Sequence, residues 1–242
     1  LRTFRSVLDR EWSGALRAEL AWIADLLGAV RDADVLLERL RHGLTALSEP
    51  QADADTGRRL LRGLERRRET DRAVLLEAMD SARYAALRDR VVAAVQAPVL
   101  LPAAERSAVE LGPGLVARRW RRLRDQVARA GADPSDEDLH RIRIDAKRCR
   151  YAAEAVEPVA GEPAKAFAGA VAALQEVLGE QHDAVVAQAW LRQAAGSAGV
   201  RRAEAFVAGQ LAAAEHARAL AARAKWRKTW DKAAVKRLRR WL

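Results

Sequence analysis

The sequence is nearly free of cysteine: Cys149 stands alone. A single thiol excludes an internal disulfide and any metal centre built from a cysteine cluster. Aromatic residues make up 5% of the chain, and β-branched residues are scarce, which argues against sheet. No apolar run approaches the ~20 residues needed to span a bilayer. No leader pattern is visible, so a cytoplasmic location is the default expectation. No G-x-x-x-x-G-K-[ST] phosphate loop, nucleophile elbow or paired-carboxylate acid/base site occurs. Gly112-Pro113-Gly114 is expected to be a plain turn. Nothing in these absences calls for a cofactor or a metal.

What the chain has in quantity is Ala, Leu, Arg and Glu, all good helix formers. With 242 residues, half of them hydrophobic, it has the material for one large or two modest helical domains. The formal net charge is +10 and unevenly spread, for residues 201–242 carry 12 basic and 3 acidic side chains. Charge of this sign predicts affinity for a polyanion: nucleic acid, a phosphate polymer or an anionic membrane surface.

The periodicity predicts a nearly continuous series of helices. A stub near Leu1–Trp12 leads to a long helix over about 15–47, and the segment SEPQADAD is a loop. Helices follow over about 57–79 and 81–96. Pro98 and Pro102 bracket a connector, then come a short helix over 103–111, the Gly-Pro-Gly turn and a basic helix over 114–130. The next helix runs to about Val156 and stops before Pro158. Ser135 is its expected N-cap, with Asp138 completing a capping box. Further helices are expected over about 163–195 and 200–224. The last segment, from Lys225, reads as a basic amphipathic helix or frayed tail, mobile beyond Ala233.

The most informative stretch is LHRIRIDAKRCRYAAE, Leu139–Glu154. On a helix, His140, Arg143, Lys147, Arg150 and Glu154 recur at three- and four-residue steps and share a face. Leu139, Ile142, Ala146, Cys149, Ala153 and Val156 form a neighbouring apolar seam fit for burial. A row of cations beside a packed seam is held in place and suits a long anion. The alternative is a solvated face on which Arg150 pairs with Glu154, and spacing alone leaves both open.

The chain also repeats itself. Leu26–Val35, LLGAVRDADV, matches Val177–Val186, VLGEQHDAVV, at an offset of 151 residues. Extended backwards, the offset places the first copy of the HRIRIDAKRCRY segment before residue 1, so residue 1 is expected to lie inside a repeat. A period this long fits a duplicated bundle of about four helices per copy.

The H-x-x-R-x-x-x-K-x-x-R-Y pattern, with an LG-x-x-[HR]-D element in both halves, resembles the CHAD family, the conserved-histidine α-helical domain. The resemblance covers essentially the whole chain. It implies an all-α fold of two four-helix-bundle repeats related by pseudo-two-fold symmetry, here residues 1–112 and 113–242, the first lacking the start of its first helix. It further implies binding of inorganic polyphosphate in a basic groove, without catalysis. Some members sit on polyphosphate granules, and some are fused to triphosphatase-type CYTH domains.

On this reading His140, Arg143, Lys147 and Arg150 are the leading polyphosphate contacts, arginine offering a planar fork and lysine a point charge. His140 near phosphate would add pH-dependent affinity. Its pairing with His182 and Asp183 on a metal is the lesser alternative, and a half-buried, hydrogen-bonded histidine is the plain one. Arg31-Asp32 and His182-Asp183 occupy equivalent repeat positions. Arg31 and His182 then face the groove, with the aspartates orienting cations on facing helices. In the run Arg118–Arg124, Arg118 and Arg122 form the coherent pair beside Arg129. Arg5 and Arg83 are secondary candidates. Lys225 and Arg227 add charge near Trp226 and Trp230, tryptophans that either pack on the bundle, stack on single-stranded nucleic acid or rest on a membrane. Nucleic acid is the rival partner, and a polyphosphatase or triphosphatase the rival activity.

Overall fold

The structure, a computed structural model, describes residues 1–47 and 52–242, with side chains from 55 onward in the second stretch. Among the described residues it holds seven α-helices: α1 (Arg10–Ala46), α2 (Ala52–Met79), α3 (Ala82–Gln96), α4 (Ala108–Ala130), α5 (Asp136–Ala160), α6 (Glu162–Ala195) and α7 (Arg202–Ala233). Short 3₁₀ turns occupy Pro102–Glu105 and Lys236–Arg239. No helix among the described residues is long and apolar enough to cross a membrane.

Several expected boundaries move. Residues 1–9 are not helical: a turn over 3–7 leads to a single bridge between Leu8 and Leu100. α1 then starts at Arg10, where the Asp9 side chain accepts from the Trp12 amide. Of the expected SEPQADAD loop, residues 48–51 lie outside the described residues, and 52–55 are already helical. Gly112-Pro113-Gly114 is not a turn but the second turn of α4, whose N-cap is Ser107. A proline there removes one hydrogen bond. Burial of Leu115, Val116 and Trp120 immediately after it offsets that loss. Gly112 packs close to α5: an added Cβ would lie 3.4 Å from Val156 Cβ.

α5 likewise runs through Pro158 to Ala160. It stops at Gly161, whose φ of 64° is a left-handed conformation that glycine adopts without strain. Its start is as expected: Ser135 and Asp138 form a reciprocal capping box, with Asp136, Glu137 and Asp138 against the positive end of the helix dipole.

The chain packs as two compact units that are not contiguous in sequence. One comprises Leu1, Arg5–Leu101 and Ala187–Glu215, and the other Arg2–Phe4, Pro102–Val186 and His216–Leu242. The first unit has two cores, one around Leu37, Leu40, Leu61 and Leu211, the other around Leu16, Ile23, Leu75 and Leu87. The second unit is built on the seam of α5. Leu139, Ile142, Ala146, Cys149, Ala153 and Val156 are all at most 2% exposed. Trp120 of α4 stacks on Trp230 of α7 at 5.0 Å between centroids and meets Phe167 of α6 edge-on at 5.6 Å. The expected mobile tail is absent. Leu238, Trp241 and Leu242 pack against this core, and Trp241 lies edge-on to Phe167.

Candidate functional site

With its seam buried, α5 presents one flank as a row of basic side chains. Arg143 is half-buried, and its Nε is shielded from solvent with no hydrogen-bond partner among the described residues. It lies over Gly179 of α6, where an added Cβ would come 3.7 Å from that nitrogen. The guanidinium thus lies directly over the glycine of the LG element, with room for a Cβ but little more. A buried donor without a partner is costly, about 1–3 kcal/mol, and an incoming acceptor relieves that cost. Lys147 is exposed. Its ammonium and the Arg150 guanidinium lie 5.9 and 4.8 Å from the ring centroid of Tyr151, which braces both. Arg150 is also 3.6 Å from Glu154, so the pairing weighed as an alternative to anion contact is present.

His140 and His182 meet across α5 and α6. Their Nδ1 atoms are 3.2 Å apart and their ring centroids 4.3 Å apart. At that distance one nitrogen donates and the other accepts. Burial, then the neighbouring Arg143 charge, push the His140 pKa below its usual value, with Glu137 opposing them. The expectation of a histidine charged beside phosphate thus describes a bound state, since the free protein favours the neutral ring. No group of three or more potential ligands able to hold a metal occurs among the described residues.

The other expected contacts scatter. Arg122 is ion-paired at 3.2 Å with Asp145, a nearly buried carboxylate that Arg148 also reaches at 3.1 Å. Residues two apart on a helix point to opposite sides. Asp145 therefore places Arg122, with its exposed neighbour Arg118, on the flank of α5 away from Arg143 and Lys147. Arg129 binds the side chain of Gln126 instead of extending that pair. Arg227 donates to the Gly131 carbonyl at the end of α4 and lies 4.1 Å over Trp226, so it acts as a helix cap. Lys225 is exposed and lines a separate groove of about 400 Å³ with Glu176, Glu180 and Arg218. Trp226 and Trp230 are 3% and 8% exposed. They pack on the bundle, and neither stacking on nucleic acid nor resting on a membrane is open to them.

In the first unit, Arg83 is held by Glu19 at 2.7 Å and lies 4.0 Å over the Trp22 ring. Arg5 sits exposed in the turn before α1. Arg31 is exposed on α1, and so is Asp32. The aspartate that reaches a cation on the facing helix is Asp34, which binds Arg68 of α2.

Three features escaped sequence reasoning: Tyr151 beneath the cations, Asp145 with Arg148 on the opposite flank, and Gln181. The last is 2% exposed and donates to Asp136 at 2.7 Å, tying α6 to the start of α5. The i,i+3 spacing of Asp145 and Arg148 was the one available signal.

A family model described as CHAD domain matches residues 1–192. The chain belongs to the CHAD family. It is 33% identical over 225 residues to Uncharacterized protein Rv2226 of Mycobacterium tuberculosis (strain H37Rv), covering 87% of this chain and 42% of that protein. Uncharacterized protein MT2285 of a second M. tuberculosis strain, CDC 1551, is 32% identical over the same length. The chain thus spans less than half the length of the curated relatives it matches. The solved structure of PptA from Streptomyces chartreusis is similar with a TM-score of 0.80 and 30% identity, over 96% of this chain and 84% of that one. The CHAD match includes the whole of α5 and the LG element of α6.

Proposed function

We propose that this CHAD protein binds inorganic polyphosphate, without turning it over, along the basic flank of α5. The carrying observation is the row of His140, Arg143 and Lys147 on a helix fixed by its buried seam, with the Arg143 Nε lacking a partner among the described residues. Cations set at helical spacing meet successive phosphates of a linear polymer and release its counterions. Affinity then falls steeply with salt, as it does for nucleic-acid backbones. Family membership supports the ligand class. It also supports a duplicated architecture, and the repeated element falls inside α1 and inside α6, the two longest helices described. Granule targeting and an accessory role beside a triphosphatase-type domain are the settings this function fits.

The test is binding of polyphosphates of graded length at several salt concentrations, with phosphate release monitored in parallel. Long chains bind more tightly than short ones. Arg143→Glu/Lys147→Glu lowers long-chain affinity at least tenfold in a protein that still melts cooperatively. Unchanged affinity in that variant refutes the assignment, and sustained phosphate release would make the protein a polyphosphatase.

One observation favours a second reading. Tyr151 is 45% exposed in the same row and offers a stacking surface for a base. If single-stranded nucleic acid displaces long-chain polyphosphate at equal phosphate concentration, and Tyr151→Ala abolishes that displacement, the nucleic-acid reading prevails.

A further inference from the structure

Away from α5, the first unit holds a groove of about 500 Å³ lined by α2, the C-terminal end of α6 and its connection to α7. The floor is apolar. Leu60 and Leu64 of α2 belong to the buried core around Leu61 and Leu211, and Trp190 and Ala194 of α6 lie half-buried against that core. The rim is cationic: Arg59, Arg66 and Arg67 line it beside one carboxylate among the described residues, Glu204. That carboxylate is already engaged, for it accepts from Arg59 Nε and from the Arg201 amide, each at 3.1 Å. Arg66 and Arg67 are exposed. Arg67 stands 3.6 Å from Asp71, beyond hydrogen-bond reach, and Arg66 has no ion pair among the described residues. Two guanidinium groups are therefore left at the edge of a strip of apolar surface.

Gly63 lies in the interior of α2 and lines the same groove. A Cβ added there would meet nothing within 4 Å, so no helix contact requires the glycine. Glycine inside a helix costs stability relative to alanine. What its missing side chain does is keep the groove open where the α2 backbone borders it.

We propose that this groove binds an amphiphilic monocarboxylate, with its apolar body on Leu64, Trp190 and Ala194 and its carboxylate at Arg66 and Arg67. An apolar floor with a few convergent charged groups is the makeup of a small-molecule site. The planar guanidinium fork matches the two oxygens of a carboxylate. A polyphosphate chain is charged along its whole length and has no apolar part to bury on tryptophan and leucine. The site thus differs in ligand class from the α5 row and does not rest on the function proposed there.

The test is titration of the full chain with octanoate at fixed ionic strength, followed through the indole N–H resonances, with Trp190→Phe assigning the signal of Trp190. Octanoate shifts that signal saturably, and octan-1-ol, which has the tail without the charge, binds at least tenfold more weakly. Arg66→Gln/Arg67→Gln weakens octanoate binding at least tenfold. Gly63→Leu fills the groove and abolishes binding while the melting temperature holds or rises. Arg143→Gln/Lys147→Gln leaves octanoate binding unchanged, so this site and the α5 row fail separately. If the arginine variant fails to fold, the Gly63→Leu result decides. No saturable shift, equal affinity for octan-1-ol, undiminished binding in Gly63→Leu, or displacement of octanoate by an equal concentration of pyrophosphate overturns the proposal.

Discussion

The Nδ1 atoms of His140 and His182 lie 3.2 Å apart and have room for one proton between them. Burial and the Arg143 charge disfavour the charged His140 ring. An anion on the α5 row reverses that preference. Polyphosphate affinity therefore rises as pH falls below the ordinary histidine value of about 6.5 and is lost as pH rises through the pKa of the bound state. Without ligand the sign for stability is opposite. A histidine pKa depressed by folding gives stability that is complete above the unfolded pKa and declines as pH drops through the folded one. Binding isotherms and thermal melts between about pH 5 and 8 check both trends. His140→Gln flattens the affinity profile, and a profile that stays steep in that variant removes His140 from the site.

The approach of Arg143 to Gly179 yields a graded pair of substitutions. An alanine Cβ at 3.7 Å from Arg143 Nε is in ordinary contact. Alanine is also favoured over glycine in a helix interior by about 1 kcal/mol. Gly179→Ala is thus expected to raise the melting temperature and leave polyphosphate affinity unchanged. Gly179→Leu drives its side chain into the space of the guanidinium and lowers affinity several-fold while the helix stays formed. Circular dichroism alongside the isotherms separates the two effects. Equal affinity in both variants would dissociate Gly179 from Arg143.

Trp230 is expected to dominate the stability of the second unit. It is 8% exposed and stacked on Trp120. Truncating a buried aromatic of this kind costs about 3–5 kcal/mol. Trp230→Ala should lose that amount in urea unfolding, whereas Trp230→Phe keeps a ring against Trp120 and loses less. A loss under 1 kcal/mol for the alanine variant would mean that the stack carries little of the fold.

Reading this fold from its sequence worked where the determinants are local. The capping box at Ser135 and Asp138 and the 3.6-residue seam of α5 involve neighbours a turn or two apart. It failed where tertiary packing outweighs a local signal. Pro113 suggests a break, yet α4 continues because Leu115, Val116 and Trp120 beyond it are buried, and α5 carries on only two residues past Pro158 before Gly161 ends it. The tail suggests disorder by charge, yet Leu238 and Trp241 pack against the core of the second unit, Trp241 on Phe167 of α6. The candidate site divides the same way. Spacing placed His140, Arg143, Lys147 and Arg150 on one face. Arg83, Arg122 and Arg227 have protein partners that spacing does not reveal, because those partners lie 64, 23 and 96 residues away in sequence. Cations announce themselves in a sequence, but the groups that have already claimed them do not.

The solitary thiol makes an internal clock. Cys149 is fully enclosed, and burial lifts its pKa to about 12, so an alkylating reagent meets neither an accessible nor an ionised sulfur while the second unit stays closed. Labelling at this one atom then proceeds only through opening events. Its rate converts directly into the opening free energy of the α5 core, with and without a phosphate polymer and with no engineered probe.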